Sequence, residues 1–427
     1  MASSQDSTQE QSSVEEKKTS RRPANTAFRQ QRLKAWQPIL TPKNVIWIFF
    51  VLGVFAAVVG GLLIYASRMV SSIELDYTDC GSGARTEWLP MPSNYVKSYW
   101  RNNNNGSTIV TAQWKKTNNV SHSYDGFEVT GLTNCSLQFE IVQDMSAPVR
   151  AYYRLENFYQ NHRRYVNSFN ADQLLAKDSV TVSSLKNSDC PPLAVEDVEE
   201  NGTTKTRQIY PCGLIANSLF NDTIGRPFRL GVTGSNDSRT YKWNEDGIAW
   251  SSDMDLYKKL EDPDYDLIIP PPNWRARYPD GRYTAEHPPP DLKSDEHFVS
   301  WMRTAALPTF FKPWAFGNET LVAGTYSVDI VDNFNMTDFK GRKSLVITTT
   351  GPLGGKNDIP GILWLALAGF FIVMSLLFVL GNFLRPRKLG DHTLLSWNKV
   401  PPSAAAKGKG KAPAGGPSIG MSTGREL

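Results

Sequence analysis

The hydrophobic pattern divides the chain before any single residue stands out. Residues 45–66 form a run of 22 positions without a charge, and residues 359–384 a run of 26 whose only strongly polar member is Asn382. Each exceeds the roughly 20 apolar residues that cross a bilayer core. The first run begins well inside the chain and carries bulky Trp47, Phe49 and Phe50, unlike the shorter apolar region of a cleaved signal peptide. The predicted organisation is an N-terminal tail (1–44), a first span (45–66), a large loop (67–358), a second span (359–384) and a C-terminal tail (385–427).

Between the spans the pattern changes to short segments. "STIVTAQW", "YDGFEVTGLTNCSLQFEIV", "GTYSVDIVDNF" and "KSLVITTT" are rich in β-branched and aromatic residues and break at Gly, Asn and Asp, which predicts strands. The second of them reads as a hairpin turning at 131–134. In "RLENFYQNHRRYVNSF", Leu155, Phe158, Tyr159, His162, Tyr165 and Val166 recur at helical spacing, which predicts an amphipathic helix. A second short helix is expected around 298–305. Prolines 270–272 and 288–290 bracket a stretch that cannot be central strand. No internal repeat is visible. The predicted fold is a membrane protein with two transmembrane α-helices and one large, mainly β domain, antiparallel and sandwich-like, with helical and proline-rich insertions.

Charge adds an orientation. Arg29, Arg32, Lys34 and Lys43 precede the first span and only Arg68 closely follows it, which predicts a cytosolic N-terminus and, with two spans, a cytosolic C-terminus. The second span has basic residues on both sides, so the first sets the topology. The tails hold eight Lys+Arg against four Asp+Glu and eight against two, within a chain of net charge +4. Such tails are attracted to an anionic cytosolic leaflet. Tethered and poor in interleaved aromatics, they make no nucleic-acid surface. The first 25 residues and "PPSAAAKGKGKAPAGGPSIG" have the composition of disordered segments.

The loop's compartment follows from its chemistry. All four cysteines, Cys80, Cys135, Cys190 and Cys212, lie in it, as suits an oxidising lumen. So do eight N-x-[ST] sequons, beginning at Asn105, Asn119, Asn134, Asn201, Asn221, Asn236, Asn318 and Asn335, although Asn134 has Cys135 at its middle position. Together they predict an exofacial, N-glycosylated, disulfide-bonded domain. Four cysteines allow three pairings, which the sequence leaves open. The sequential pairing is favoured because each bridge then closes a local loop.

No catalytic or metal constellation emerges. The five histidines are scattered, and HExxH, Walker A, GxGxxG and CxxC are absent. A GxSxG match at 416–420 lies in the C-terminal tail, without the strand and helix a nucleophile elbow needs. Asp262, Asp264 and Asp266 have the opening spacing of a calcium loop, but Leu267 and Asn273 stand where Gly and Glu are required, which leaves a solvated acidic loop. His162, beside Arg163 and Arg164, reads as structural or interfacial. No cofactor is expected. In the first span, Gly53, Ala57 and Gly61 recur every fourth residue beside Gly60, a stripe that permits close helix approach either to the second span or to a partner.

Several long motifs in one order now point to a family. "FRQQRLKAWQPILTPK", "PVRAYYRLENFYQNHRRYVNS", "YPCGLIANSLFND", "IAWSSD", "MRTAALPTFFKPW" and "GTYSVDIVDNF" resemble the cell division control protein 50 family, also called the ligand-effect modulator 3 family, from Phe28 to Leu384. These are accessory β-subunits of type IV P-type ATPases, the lipid flippases. The resemblance implies a non-catalytic subunit, and the ATPase motif DKTGT is absent from this chain. It implies a heterodimer with the ATPase catalytic subunit in a phospholipid membrane. It also implies a need for this chain in folding, endoplasmic reticulum exit and activity of a complex moving phospholipid from the exofacial to the cytosolic leaflet. The implied locations are the endoplasmic reticulum, Golgi or endosome, or plasma membrane. By similarity the disulfides map onto Cys80 with Cys135 and Cys190 with Cys212; the four-cysteine pattern looks closer to the fungal branch than to animal members.

In the family the pre-membrane segment contacts the flippase on its cytosolic side. That makes Phe28, Gln30, Gln31, Leu33, Trp36 and Pro38 interface candidates within an interfacial stretch 28–43, together with Gly53, Ala57 and Gly61. Basic residues with Phe28 and Trp36 suit the cytosolic interface, and Pro38 and Pro42 are expected to interrupt any helix running into the span. A glycosylated two-span receptor or adhesion protein would share this topology and is the alternative.

Overall fold

In a computed structural model the chain is described over residues 25–34, 40–101, 110–124, 126–200, 202–233, 236–352 and 354–386. It divides into two compact units, 1–55 with 368–427, and 56–367, and two long helices contribute to both. These helices, Pro42–Arg68 and Ile359–Leu384, are long and apolar enough to cross a membrane. Pro42 begins the first helix where the sequence suggested an interruption. A first-turn residue needs no amide hydrogen, so proline fits there. Thr41 precedes it, with its hydroxyl accepting from the Asn44 amide at 3.3 Å.

The remainder of unit 56–367 is built on sheets that are antiparallel except where Ile268–Ile269 pairs in parallel with Thr203–Ile209. A five-stranded sheet has the order Phe310–Gly317, Val149–Glu156, Arg342–Thr349, Ser72–Asp76, Val96–Tyr99. Its centre joins the two ends of the loop: Ser72, four positions past the first helix, stands opposite Thr348, which precedes the second. Val149–Glu156 alternates strictly, with Val149, Ala151, Tyr153 and Leu155 buried and the residues between them half-exposed, as a strand with one core face should. Arg342–Thr349 is buried along nearly its whole length, with apolar Leu345, Val346 and Ile347 flanked by buried Lys343, Ser344, Thr348 and Thr349.

A six-stranded sheet runs Phe228–Arg229, Gly324–Asp332, Phe127–Ile141, Ala112–Tyr124, Leu89–Pro90, with Thr223–Ile224 also on Gly324–Asp332. Both sheets give their inner faces to one core: Ile73, Leu75, Leu345 and Ile347 from the first, and Leu137, Phe139, Val328 and Ile330 from the second. A smaller sheet of Val195–Glu200, Thr203–Ile209 and Ile268–Ile269 stands apart from them. The mainly β, sandwich-like domain expected from the sequence is therefore present, and short helices and 3₁₀ turns follow the prolines at 270–281.

Two local expectations fail. The segment read as a hairpin at 131–134 is one strand, Phe127–Ile141, and the turn falls earlier, where Tyr124 faces Phe127 across Gly126 at φ +85°. Gly131, at φ +83°, lies where the register with the neighbouring strand slips, so its left-handed backbone makes an irregularity and no reversal. The amphipathic helix expected over 155–166 is also absent. Leu155 lies in a strand that ends at Glu156, Asn157 at φ +61° breaks it, and only Arg163–Val166 forms a helical turn, with an exposed His162 at its N-cap. The second helix is found, as Glu296–Met302, capped by the Asp295 carboxylate accepting from the Phe298 amide at 2.9 Å.

Candidate partner-binding surfaces

In the pre-membrane segment, the Gln30 amide donates to the Thr26 carbonyl at 3.0 Å and the Arg32 amide to Ala27 at 2.7 Å, closing turns across 26–32. They leave Phe28 77% and Leu33 61% exposed, with Gln30 and Gln31 also outside. Two exposed apolar side chains on so short a stretch are a surface for membrane or partner and not a core. Trp36 and Pro38 lie outside the described residues.

The small residues of the first helix divide between two directions. In unit 1–55 with 368–427, a Cβ added at Gly53 would come within 2.8 Å of Ile372, while Phe49 packs on Phe371 and Phe378 and the Ser375 hydroxyl donates to the Ile46 carbonyl at 3.2 Å. In unit 56–367, a Cβ at Gly60 would meet Leu365 at 2.9 Å, and the Ser67 hydroxyl donates to Asp358. Gly61 has nothing within 4 Å, and Ala57 is half-buried. The stripe Gly53, Ala57, Gly61 is therefore not one contact face. Residues seven apart drift by only about 20° on a helix, so Gly53 and Gly60 share a direction. Gly61 is turned a further 100° or so.

The β domain is held by long-range chemistry. Cys80 is bonded to Cys135 and Cys190 to Cys212. The Lys343 ammonium, 2% exposed, donates to Asp222 at 2.7 Å, to Asp332 at 2.6 Å and to the Phe334 carbonyl at 2.6 Å. Asp222 also accepts from the Tyr77 hydroxyl and from the amides of Asn333 and Phe334. Burial raises the Asp332 carboxyl above the ordinary range, opposed by the adjacent Lys343, and burial pushes the Tyr77 phenol well up. Sequence reasoning missed this cluster. Its only signal was the lysine, directly after Arg342, heading the β-branched run "KSLVITTT".

Three tryptophans pin the motif "YPCGLIANSLFND" and Ile224 just beyond it. The indole N–H of Trp301 donates to the Ile215 carbonyl, that of Trp274 to Ala216 and that of Trp314 to Ile224, at 2.9 to 3.1 Å. Buried tryptophans need such partners. Gly213 is required by its φ of +100°, with a Cβ there striking the Ser168 carbonyl. The motifs spread over the loop thus converge on one packed centre.

On the domain's surface, Trp250, Leu307 and Phe311 are 68%, 67% and 52% exposed. Trp250 and Phe311 line a cleft of about 260 Å3 with Arg303, whose guanidinium stands 5.1 Å over the Trp250 ring. Exposed aromatics beside arginine are the composition of an interface centre. Asp264 caps the Asp266 amide in an exposed loop, and no metal-holding cluster occurs among the described residues. Of the sequons, Asn119, Asn236, Asn318 and Asn335 are exposed, Asn134 and Asn221 are half-buried, and Asn105 and Asn201 lie outside the described residues.

Comparison with known proteins gives a consistent picture. A model of the LEM3 (ligand-effect modulator 3) family / CDC50 family matches residues 63–388. The chain is 43% identical over 391 residues to the phospholipid-transporting ATPase accessory subunit CDC50 of Chaetomium thermophilum, covering 90% of this chain and 92% of that protein. It is 38% identical over 389 residues to the phospholipid-transporting ATPase accessory subunit CRF1 of Saccharomyces cerevisiae, covering 90% and 91%. To cell cycle control protein 50A of Mus musculus it is 32% identical over 381 residues, covering 85% and 89%.

Proposed function

The chain belongs to the LEM3 (ligand-effect modulator 3) / CDC50 family, and from that premise we propose that it is the non-catalytic accessory subunit of a phospholipid-transporting type IV P-type ATPase. The observation that carries this is the likeness to named accessory subunits along nine-tenths of the chain, through both membrane helices and the whole β domain.

In this reading both termini are cytosolic and the β domain is exofacial, in the endoplasmic reticulum, Golgi, endosome or plasma membrane. The subunit forms a heterodimer with the ATPase. It supports folding of the pump, its exit from the endoplasmic reticulum, and its passage of phospholipid from the exofacial to the cytosolic leaflet. The chain grips its partner at three levels: the 26–34 turns with Phe28 and Leu33 at the cytosolic interface, the outward side of the helix pair around Gly61, and the β domain. The disulfides and the Lys343 cluster keep that last surface in one shape, so that docking costs little ordering entropy.

Affinity purification of the tagged chain from its native membrane in mild detergent, with mass spectrometry of what accompanies it, tests the reading. Stoichiometric recovery of a large P-type ATPase is expected. Repeated recovery of the chain alone, from membranes containing such an ATPase and in a detergent that preserves known complexes, would overturn it. Phe28→Ala, which removes an exposed ring without touching any packed core, is expected to lower that recovery.

A further inference from the structure

Beside the membrane helices the outermost strands of the two sheets come together around a cleft of about 460 Å3. Val96–Tyr99 is the last strand of the five-stranded sheet and Leu89–Pro90 the last of the six-stranded one. Both line the cleft, with Val110, Thr111 and Ala112. Met91, Val96, Tyr99 and Val110 supply apolar walls, Ser93 and Thr111 hydroxyls, and the exposed Lys97 an ammonium.

Its position is fixed by the register. Tyr99 pairs with Ser72, four residues past the end of the first membrane helix at Arg68. The Lys356 ammonium lies 4.6 Å over the Tyr99 ring, and the second membrane helix begins three residues later at Ile359. From Tyr99 to Val96 the strand rises about 10 Å at roughly 3.4 Å per residue. The headgroup layer on one side of a bilayer is about 5 to 8 Å deep. The cleft therefore starts at headgroup depth at Tyr99 and reaches beyond it at Val96.

Charge and edge geometry select the occupant. Lys97, Arg68, Arg101 and Lys356 put cations at this level; Asp358 faces Lys356, and Glu74 is shared between Lys97 at 3.5 Å and Arg154. Lys97 is half-exposed and loosely paired, so it can serve an incoming anion. A peptide strand is disfavoured as the occupant. One edge is two residues long and contains Pro90, and the other projects a lysine, the features that blunt strand addition.

We propose that the membrane-proximal mouth of this cleft binds a phospholipid of the adjoining leaflet, with the phosphate paired to Lys97, the glycerol below it at Tyr99, and the headgroup substituent reaching outward toward Val96 and Met91. Tyr99 would lie at the level where aromatic rings prefer the membrane interface. The accessory chain would then carry a lipid site of its own, apart from any on a partner.

The test uses the full-length chain in nanodiscs containing a phosphatidylglycerol with a photoactivatable diazirine near the glycerol, followed by mass spectrometry of adducts. Adducts are expected on peptides covering 89–99 or 110–112 as well as on the membrane helices. Lys97→Glu is expected to lower the cleft adducts about fivefold or more, the size expected for losing one cation beside an anionic lipid, and Ser93→Trp, which fills the cleft from an exposed position, is expected to lower them as well. Helix adducts should stay unchanged and both disulfides intact, which shows that the variants fold. Adducts confined to the helices, or cleft adducts unaffected by both variants, would overturn the proposal. Occupation of the cleft by a cross-linked polypeptide would do the same.

Discussion

Lys343 and Asp222 meet at 2.7 Å with both side chains withdrawn from water, although 121 residues separate them in the chain. The ammonium also holds Asp332, so removing it would leave the buried Asp222 and the half-buried Asp332 carboxylates facing one another. Losing one member of a buried ion pair typically costs about 3 to 5 kcal/mol. Lys343→Met is therefore expected to lower the stability of the β domain by about that amount. Lys97→Met, which removes a half-exposed partner of Glu74, should change it by less than about 1 kcal/mol. Pulse proteolysis of the detergent-solubilised full chain across a urea series measures both. Equal midpoints for the two variants would deny the cluster its role.

A second lysine behaves differently because its partners are carbonyls. Lys312, 6% exposed, donates to the carbonyls of Ser300 and Arg303 at the end of the helix Glu296–Met302. Burial, with the nearby Arg303, lowers its pKa to about 8. The unfolded chain keeps the ordinary, higher lysine value, so from about pH 8 upward it binds more protons than the folded one, and folding stability from this group rises with pH. Below that window Lys312 is charged in both states and contributes no slope. The stability of the protein relative to Lys312→Met should hence increase between pH 8 and 10, read as the difference between paired thermal melts so that tyrosine titration cancels. A flat difference across that range would contradict the assignment.

How much of this was legible in the sequence depended on the range of the determining contact. The spans needed only local apolar length, and the strand segments only composition and alternation. Residues 155–166 misled because Leu155 and Phe158 are buried at helical spacing for an unrelated reason: one lies in a strand and the other packs on Trp301 and Phe310 after the Asn157 turn. The hairpin was misplaced because Gly131 and Gly126 are both at positive φ, and only the register shows which reverses the chain. Lys343 was invisible because Asp222 and Tyr77 reach it from distant segments. The divided facing of Gly53 and Gly61 required the second helix to be in place.

The sequons can be ranked by how far their side chains are packed into the domain. The Asn134 side chain lies between strands, with its amide nitrogen 3.4 Å from both Ser136 and Asp329 and its chain neighbour Cys135 in a disulfide. The Asn221 carbonyl oxygen is buried next to Asp222. A glycan at either would have to displace packed structure, whereas Asn119, Asn236, Asn318 and Asn335 are exposed. Glycopeptide mass spectrometry is expected to find Asn134 and Asn221 bare and glycans among the exposed four. Full occupancy at Asn221 would be incompatible with the packing around Asp222.

Gly60 and Gly61 separate contact within the chain from contact with a partner. At Gly60 an added Cβ meets the Leu365 side chain at 2.9 Å and its backbone nitrogen at 3.0 Å, so the neighbouring helix must move as a whole. At Gly61 the same atom meets nothing. Close approach at small residues is what drives helix association in lipid, where no hydrophobic force distinguishes a helix from the acyl chains. Gly60→Leu is therefore expected to separate the chain's own helices, seen as lost cross-linking between cysteines placed at Ser67 and Asp358, whose side chains meet directly. Gly61→Leu should leave that cross-link intact and lower co-purification of the ATPase. If Gly61→Leu changes neither, the outward side of this helix faces lipid and the partner is held by the cytosolic segment and the β domain alone.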